Sequence, residues 1–383
     1  MKTVFFLVCA LVVLSWLLLR RKVRPSADFG SIDAIVPAYN EEACIVGTVR
    51  MLLANRYIGR VIVVNDGSSD GTGRLLDLLA ATQHRVVAVH QANSGKGGAI
   101  MHGLDHVSAR YVFLTDADTL VPTDSDGLGY LIAELEQGAD AVGGIPASNL
   151  TGAGLLPHIR ATVKIPMIAL KRMFQQLAGG APFLISGACG LFRTEVLLAV
   201  PFSDRTKVED LDMTWSLVKS GYKVKQSVRC IVYSQECNSL RAEWLRWRRW
   251  IIGYAVCMRL HRDLLLSRFG LFSILPMFVV VVVGVLSYAS QLRAAHIGTV
   301  IPLDHLANLA GIFFPPAWIA IVALIGSVSA LLHRRAILVV LAPAAIVYVF
   351  LSYAIWLVHG VKGLFTGREP KRDKPPRYNH VVE

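Results

Sequence analysis

From residue 31 to residue 115 the sequence repeats one unit: a short run of strand-forming residues, a polar turn, then a stretch with helical spacing. Ser31 to Val36 is the first run and ends in Pro37-Ala38-Tyr39-Asn40-Glu41-Glu42. Arg60 to Val64 is the second; Asn65-Asp66-Gly67-Ser68-Ser69-Asp70-Gly71-Thr72 and a leucine-rich helical pattern through Leu79 follow it. Val86 to His90 precedes Gly95-Lys96-Gly97-Gly98-Ala99, and Tyr111 to Thr115 is the fourth run. Strand and helix in alternation predict an α/β fold, a mostly parallel sheet with helices on both faces. Ligands of such sheets bind beyond the carboxyl ends of the strands, where all these polar clusters fall. Asn40 is expected to cap the helix after it, with acids in the first turn.

The fourth strand ends in Asp116-Ala117-Asp118. Side chains alternate along a strand, so the two carboxylates project the same way and repel unless a cation lies beside them. A hard divalent ion, Mg²⁺ or Mn²⁺, suits such oxygen ligands and commonly also holds substrate phosphates. The glycine-rich segment around Lys96 lacks the leading Gly and trailing Ser or Thr of a phosphate loop, which excludes that class of ATPase. A helix start that attracts a pyrophosphate and a tight packing turn both remain open for it.

Further on, residues 147 to 182 carry Arg160, Lys164, Lys171 and Arg172 among apolar residues without a clean period. Gly187-Ala188-Cys189-Gly190 allows close approach to the backbone, as a bulge or packed turn also would. Glu209, Asp210 and Asp212 open the helical run up to Lys219, a position that the helix dipole favours for acids. Arg241 to Leu265 carries Trp244, Trp247 and Trp250 interleaved with Arg246, Arg248 and Arg249. Such a helix suits a membrane boundary, and its guanidinium and indole groups also suit a diphosphate and a sugar face.

Composition bears on where such a chain works. Of 383 residues, 54% are hydrophobic and 17% charged. The apolar excess lies at the ends, in Val4 to Leu19 and in Leu271 to Ser290, Asn308 to Leu332 and Ala336 to Val358. Runs near 20 residues predict membrane crossings, and the cations after Leu19 predict a cytoplasmic middle domain. Three C-terminal crossings would put the basic tail on the far side, with Pro315 and Pro316 marking the middle segment as irregular. The net charge of +12 fits an anionic leaflet; it is not gathered on an aromatic, soluble module, which argues against nucleic acid as a partner. Six cysteines without metal-ligand spacing read as reduced, buried thiols.

Taken together, Pro37-Ala38-Tyr39-Asn40-Glu41, Asn65 to Thr72, Asp116-Ala117-Asp118, Glu209-Asp210 and Arg249-Trp250 resemble the motifs of family 2 glycosyltransferases, over about residues 31 to 255. The pattern looks like the membrane-integrated synthases of cellulose, hyaluronan, chitin and poly-N-acetylglucosamine. That resemblance implies a GT-A nucleotide-diphospho-sugar transferase domain and a nucleotide-sugar donor, most often UDP-linked. It assigns Pro37, Ala38, Tyr39, Glu41, Asp66, Lys96, Asp116 and Arg249 to the donor, Asp118 to the metal, Asp210 with Glu209 to catalysis, and Gly187, Cys189 and Trp250 to the acceptor. Two departures stand out. The synthase motif Gln-x-x-Arg-Trp is Arg246-Trp247-Arg248-Arg249-Trp250 here, which puts processivity in doubt, and Val208 replaces Thr before Glu209.

The expected organisation is an anchor at 1–24, the GT-A domain at 25–240, an amphipathic helix at 241–265, a transmembrane region at 266–360 with about three segments, and a basic tail at 361–383. The expected chemistry is a single displacement that inverts the anomeric centre. The base takes the acceptor proton while the metal and Arg249 carry the charge of the departing nucleoside diphosphate. The expected partners are a nucleotide sugar, a glycan or lipid-linked acceptor, and the bilayer of the inner membrane. A single addition onto a polyprenyl-phosphate carrier uses the same donor site. A nucleotide-sensing transporter is disfavoured, since the apolar segments carry no Asp, Glu, Lys or Arg.

Overall fold

A computed structural model describes residues 23–276 and 316–366. The four expected strands are β1 (Ile32–Ala38), β2 (Ile58–Asp66), β3 (Val86–Gln91) and β4 (Tyr111–Leu114), and they pair in parallel in the order β3-β2-β1-β4. Their residues alternate between two cores. Ile32, Ala34 and Val36 of β1 pack with Ile45, Val49 and Leu52 of helix α1 (Ile45–Ala54) and with Leu76 of α2 (Thr72–Thr82). Ile35, Ile62 and Val64 face the other way, onto Ala99, Ile100 and Leu104 of α3 (Gly95–Leu104). Each aliphatic side chain buried this fully contributes about 1.5–3 kcal/mol, so register is strongly specified on both faces.

Beyond β4 the sheet is mixed, not mostly parallel as expected. After β5 (Thr119–Leu120) and α4 (Gly127–Glu136) come β6 (Ala141–Ser148), α5 (Leu155–Gly179), β7 (Gly190–Arg193), α6 (Thr194–Ala199), α7 (Glu209–Lys219) and β8 (Val224–Ser234). β7 runs antiparallel to both β4 and β6, β6 and β8 are parallel, and β5 is antiparallel to β8, giving the order β3-β2-β1-β4-β7-β6-β8-β5. β5 and β7 are too short to show a period in the sequence.

Three further expectations are corrected. Asn40 does not cap a helix: it takes a left-handed conformation (φ 53°), and its side-chain oxygen accepts from the Ser69 N–H at 2.7 Å, joining the turns after β1 and β2. Residues 147 to 182 hold one long helix, α5, whose period is masked by an interior proline, Pro166. Among the described residues no helix is long and apolar enough to cross a membrane. The span expected at Ala336 to Val358 is instead divided between α10 (Ile337–Val340) and α11 (Ala342–Thr366), which follow α9 (Pro316–His333). The anchor expected at 1–24 and the segment from Leu271 to Ser290 lie mostly outside the described residues, as does most of the basic tail.

The Arg/Trp helix is α8 (Leu240–Leu260), with the Ser239 hydroxyl accepting from the Ala242 N–H as its N-cap. It is packed on several sides: Ile251 meets Ile355 and Trp356 of α11, and Cys257 lies in the core beneath α7. The described cysteines, Cys44, Cys189, Cys230, Cys237 and Cys257, are buried thiols without disulfides.

Candidate active site

The strand ends, the first turn of α7, α5 and α8 enclose a cavity of about 1050 Å³, at the upper end of the range for ligand pockets. Pro37, Ala38, Tyr39, Glu41, Asp66, Lys96, Asp116, Asp118, Glu209, Asp210, Arg249 and Trp250 all line it. Gly187 and Cys189 do not. The main chain of Gly187 donates to Asp210 Oδ2 at 3.1 Å, while Cys189 is fully buried with its thiol 3.7 Å from that of Cys230. Ala188 and Ser186 line the cavity instead, because alternation on entering β7 turns the Cys189 side chain into the core.

Asp66, at the end of β2, is held by its neighbours. Its Oδ1 accepts from the Ser94 N–H at 2.7 Å and from Gln91 Nε2 at 2.7 Å, and its Oδ2 accepts from the Gly95 N–H at 3.0 Å. The start of α3 is thus already matched with a carboxylate, which a helix N-terminus favours. Lys96 turns away from that end. Its ammonium pairs with Asp116 at 2.6 Å and reaches Glu209 Oε1 at 3.5 Å, linking the turn after β4 to the first turn of α7. A Cβ at position 187 would lie 2.5 Å from Lys96 Nζ, so glycine there makes room for this bridge.

Burial, and then the charge of Glu209, push the Asp210 carboxyl above its usual range, against the pull of Lys96 and the Gly187 N–H. A carboxylate raised in this way is a better proton acceptor. Two residues on, Asp212 is held low: burial would raise it, but His261 at 2.6 Å, the Ser203 hydroxyl at 2.6 Å and Arg205 at 2.9 Å outweigh that. Asp212 therefore fixes α7 to the end of α8 and to the loop ahead of α7. Arg249 donates to the Lys207 carbonyl of that loop at 2.9 Å.

Asp118 is buried beside Thr119. Among the described residues no group of three or more His, Cys, Asp or Glu side chains could hold a metal ion. The chain's own donors fit the mode in which Mg²⁺ or Mn²⁺ is bound by one or two carboxylates and completed by substrate phosphates.

A second set of charges was not recognised in the sequence as part of a site. Glu236, just after β8, accepts from Arg160 at 2.8 Å, Lys164 at 2.6 Å, Arg246 at 2.8 Å and the Ser148 hydroxyl at 2.8 Å. Glu243 pairs with Arg160 at 3.2 Å and with Arg246, and accepts from the Tyr348 hydroxyl at 2.6 Å. Burial would raise Glu236, but Arg160 and Lys164 hold it below the usual carboxylate range. The guanidinium groups of Arg160 and Arg246 lie 5.4 and 5.3 Å from the centroid of the Trp250 ring. The signal was present: Arg160, Lys164 and Lys171 are spaced by four and seven residues, one face of a helix. Glu236 has no local pattern to reveal it.

Over its whole length this chain is 56% identical to an uncharacterized glycosyltransferase, YaiP, of Escherichia coli K12, covering 95% of that protein. Residues 33–198 match the model of the glycosyl transferase family 2 domain. The chain belongs to glycosyltransferase family 2. The chain is also similar to the poly-β-1,6-N-acetyl-D-glucosamine synthase of Staphylococcus aureus strain COL, 29% identical over 230 residues; the match takes in 59% of this chain and 55% of the synthase. In fold the chain is similar to the mannosyltransferase PcManGT of Pyrobaculum calidifontis, solved with GDP-Man and Mn²⁺. The TM-score is 0.61 at 18% identity, covering 95% of this chain and 96% of that one. The family 2 domain here is thus a mixed α/β domain of the GT-A type.

Proposed function

We propose that this glycosyltransferase moves a sugar, a hexose or N-acetylhexosamine, from a UDP-linked donor to a glycan or lipid-linked acceptor, with inversion to a β-linkage. The observation that carries this reading is the convergence of Asp66, Asp116, Asp118, Glu209, Asp210, Arg249 and Trp250, drawn from four parts of the fold, on one cavity. Asp66, with Tyr39 and Glu41 in the adjoining turn, takes the nucleoside. Asp118, assisted by Asp116, holds a Mg²⁺ or Mn²⁺ ion, which when bound neutralises the diphosphate. Arg249 carries charge that develops on the leaving group. Asp210 accepts the proton of the acceptor hydroxyl as that oxygen attacks the anomeric carbon; the Gly187 N–H holds its carboxylate, and the charge of Lys96 favours its ionised form.

The protein is further proposed to work at the cytoplasmic face of the inner membrane. The apolar runs at both ends of the sequence and exposed side chains such as Leu331, Val340 and Phe365 support this. Arg246, tied to Glu236 and Glu243 where the synthases carry Gln, favours a single addition over processive synthesis. The test is incubation of the solubilised full chain with a panel of nucleotide sugars and Mg²⁺ or Mn²⁺, reading released nucleoside diphosphate and product mass. Metal-dependent release from a UDP-sugar is expected. No release from any sugar nucleotide would overturn the reading, and a ladder of products would overturn the single addition.

A further inference from the structure

At the end of the cavity away from Asp66, Arg172 is a buried cation, 7% exposed. Its hydrogen bond is to a neutral group, Gln226 Oε1 at 3.1 Å, and no carboxylate among the described residues is within ion-pair distance. Burial pushes its guanidinium down to about 10. A charge held out of water in this way is costly until an opposite charge joins it. Lys171, beside it on α5, lines the same cavity with its ammonium 5.3 Å from the Phe183 ring centroid. The lysine is open to water within the cavity but surrounded by protein, and that enclosure, with the neighbouring guanidinium, pushes it down to about 8.

This pair stands apart from the place for the donor diphosphate. Gln226 pairs with Gly143 of β6, whereas Ser234 pairs with Ser148 of β6 and with Thr119, next to Asp118. Five residues of β6 separate the two positions, about 16 Å at ~3.3 Å per residue. Asp210 lies near enough to Arg172 for its charge to act on the guanidinium, and both act on the Tyr254 hydroxyl. Met167, Phe174 and Phe272 line the cavity and are at least a third exposed.

We propose that this end of the cavity binds a phosphate group of the acceptor through Arg172 and Lys171, leaving the acceptor hydroxyl at Asp210; the proposal rests on the sugar-transfer reading of the cavity. The apolar surface beside the cations suits an alkyl chain, so a lipid-linked phosphate is the expected source and a soluble sugar phosphate the other.

The test is equilibrium binding to the full chain without donor, by intrinsic tryptophan fluorescence, of decyl phosphate against decyl glucoside and of glucose 1-phosphate against glucose. Each phosphate is expected to bind more tightly than its neutral counterpart. Arg172→Gln should weaken the phosphates about ten- to hundredfold, the scale of a lost hydrogen bond to a charged group, Arg172→Lys less, and neither should change the neutral ligands. Stronger binding of decyl phosphate assigns a lipid source and of glucose 1-phosphate a soluble one; both support the phosphate site. Equal binding of phosphate and neutral forms, or displacement of the phosphates by saturating UDP, would overturn it. If Arg172→Gln does not fold, Lys171→Gln and the wild-type comparison decide. Nucleotide-sugar cleavage, measured on the same preparation, reports separately on the transferase reading.

Discussion

Removing the Lys96 ammonium while keeping its chain, as in Lys96→Met, should move the pH profile of transfer. A Cβ built at Gly187 lies 2.5 Å from Lys96 Nζ and 3.6 Å from Asp210 Oδ2, so the ammonium and that carboxylate oxygen are within about 6 Å of each other. At an effective dielectric of ~20, a unit positive charge at ~6 Å stabilises the carboxylate by about 3 kcal/mol, equivalent to about two pKa units. Lys96 is one of the influences that lower Asp210. Its loss therefore raises the carboxyl further, and a base that must be ionised is switched off at higher pH. The acid limb of kcat/KM should shift upward by about two pH units. The plateau above it should fall much less, and Lys96→Arg should restore the original limb. Initial rates of nucleoside diphosphate release over a pH series give the limb directly. An unmoved acid limb in Lys96→Met, with Asp210→Asn inactive, would refute the electrostatic link. The variant should also lose about 3 kcal/mol of stability, the low end for breaking a buried pair, because Asp116 is 35% exposed at its side chain.

Asp210→Asn should reduce transfer by about 10²–10⁴-fold with donor binding nearly intact, read as kcat against the dissociation constant of UDP. Asp118→Ala should weaken donor binding in the presence of Mn²⁺ and leave metal-free binding unchanged, measured by calorimetry. Glu236→Gln leaves Arg160, Lys164 and Arg246 with one carboxylate fewer and should cost about 3–5 kcal/mol in denaturant unfolding. Gly129→Ala would put a methyl 2.4 Å from the Tyr57 hydroxyl and should cost about 1–3 kcal/mol by overpacking, with transfer activity retained in the folded fraction.

The first half of the sheet was legible because its information is local. Each strand is a β-branched run with a polar turn at its end, and burial on both faces leaves Ile32 to Val36 and Val61 to Val64 little choice of register. The acids at 66, 116, 118 and 210 were visible for the same reason: each sits where an element ends. What stayed hidden depends on partners distant in sequence. Glu236 gains its meaning from Arg160, 76 positions earlier, and β7 takes its place only because β4 and β6 flank it. Cys189 misled because a loop of small residues looks open from the sequence, whereas the pleat turns every second side chain inward. The apolar C-terminal run at 336–358 gave length but not continuity, and the break between α10 and α11 comes just before Pro343, in the first turn of the second helix, where proline is tolerated.

Arg246 carries a consequence for how the helices around the cavity are tied together. Its guanidinium shares Glu236 and Glu243 with Arg160, so a glutamine there would leave both acids to the cations of α5, Arg160 and Lys164. A change at 246 would therefore be felt on two helices at once, since α5 and α8 lean on the same pair of acids.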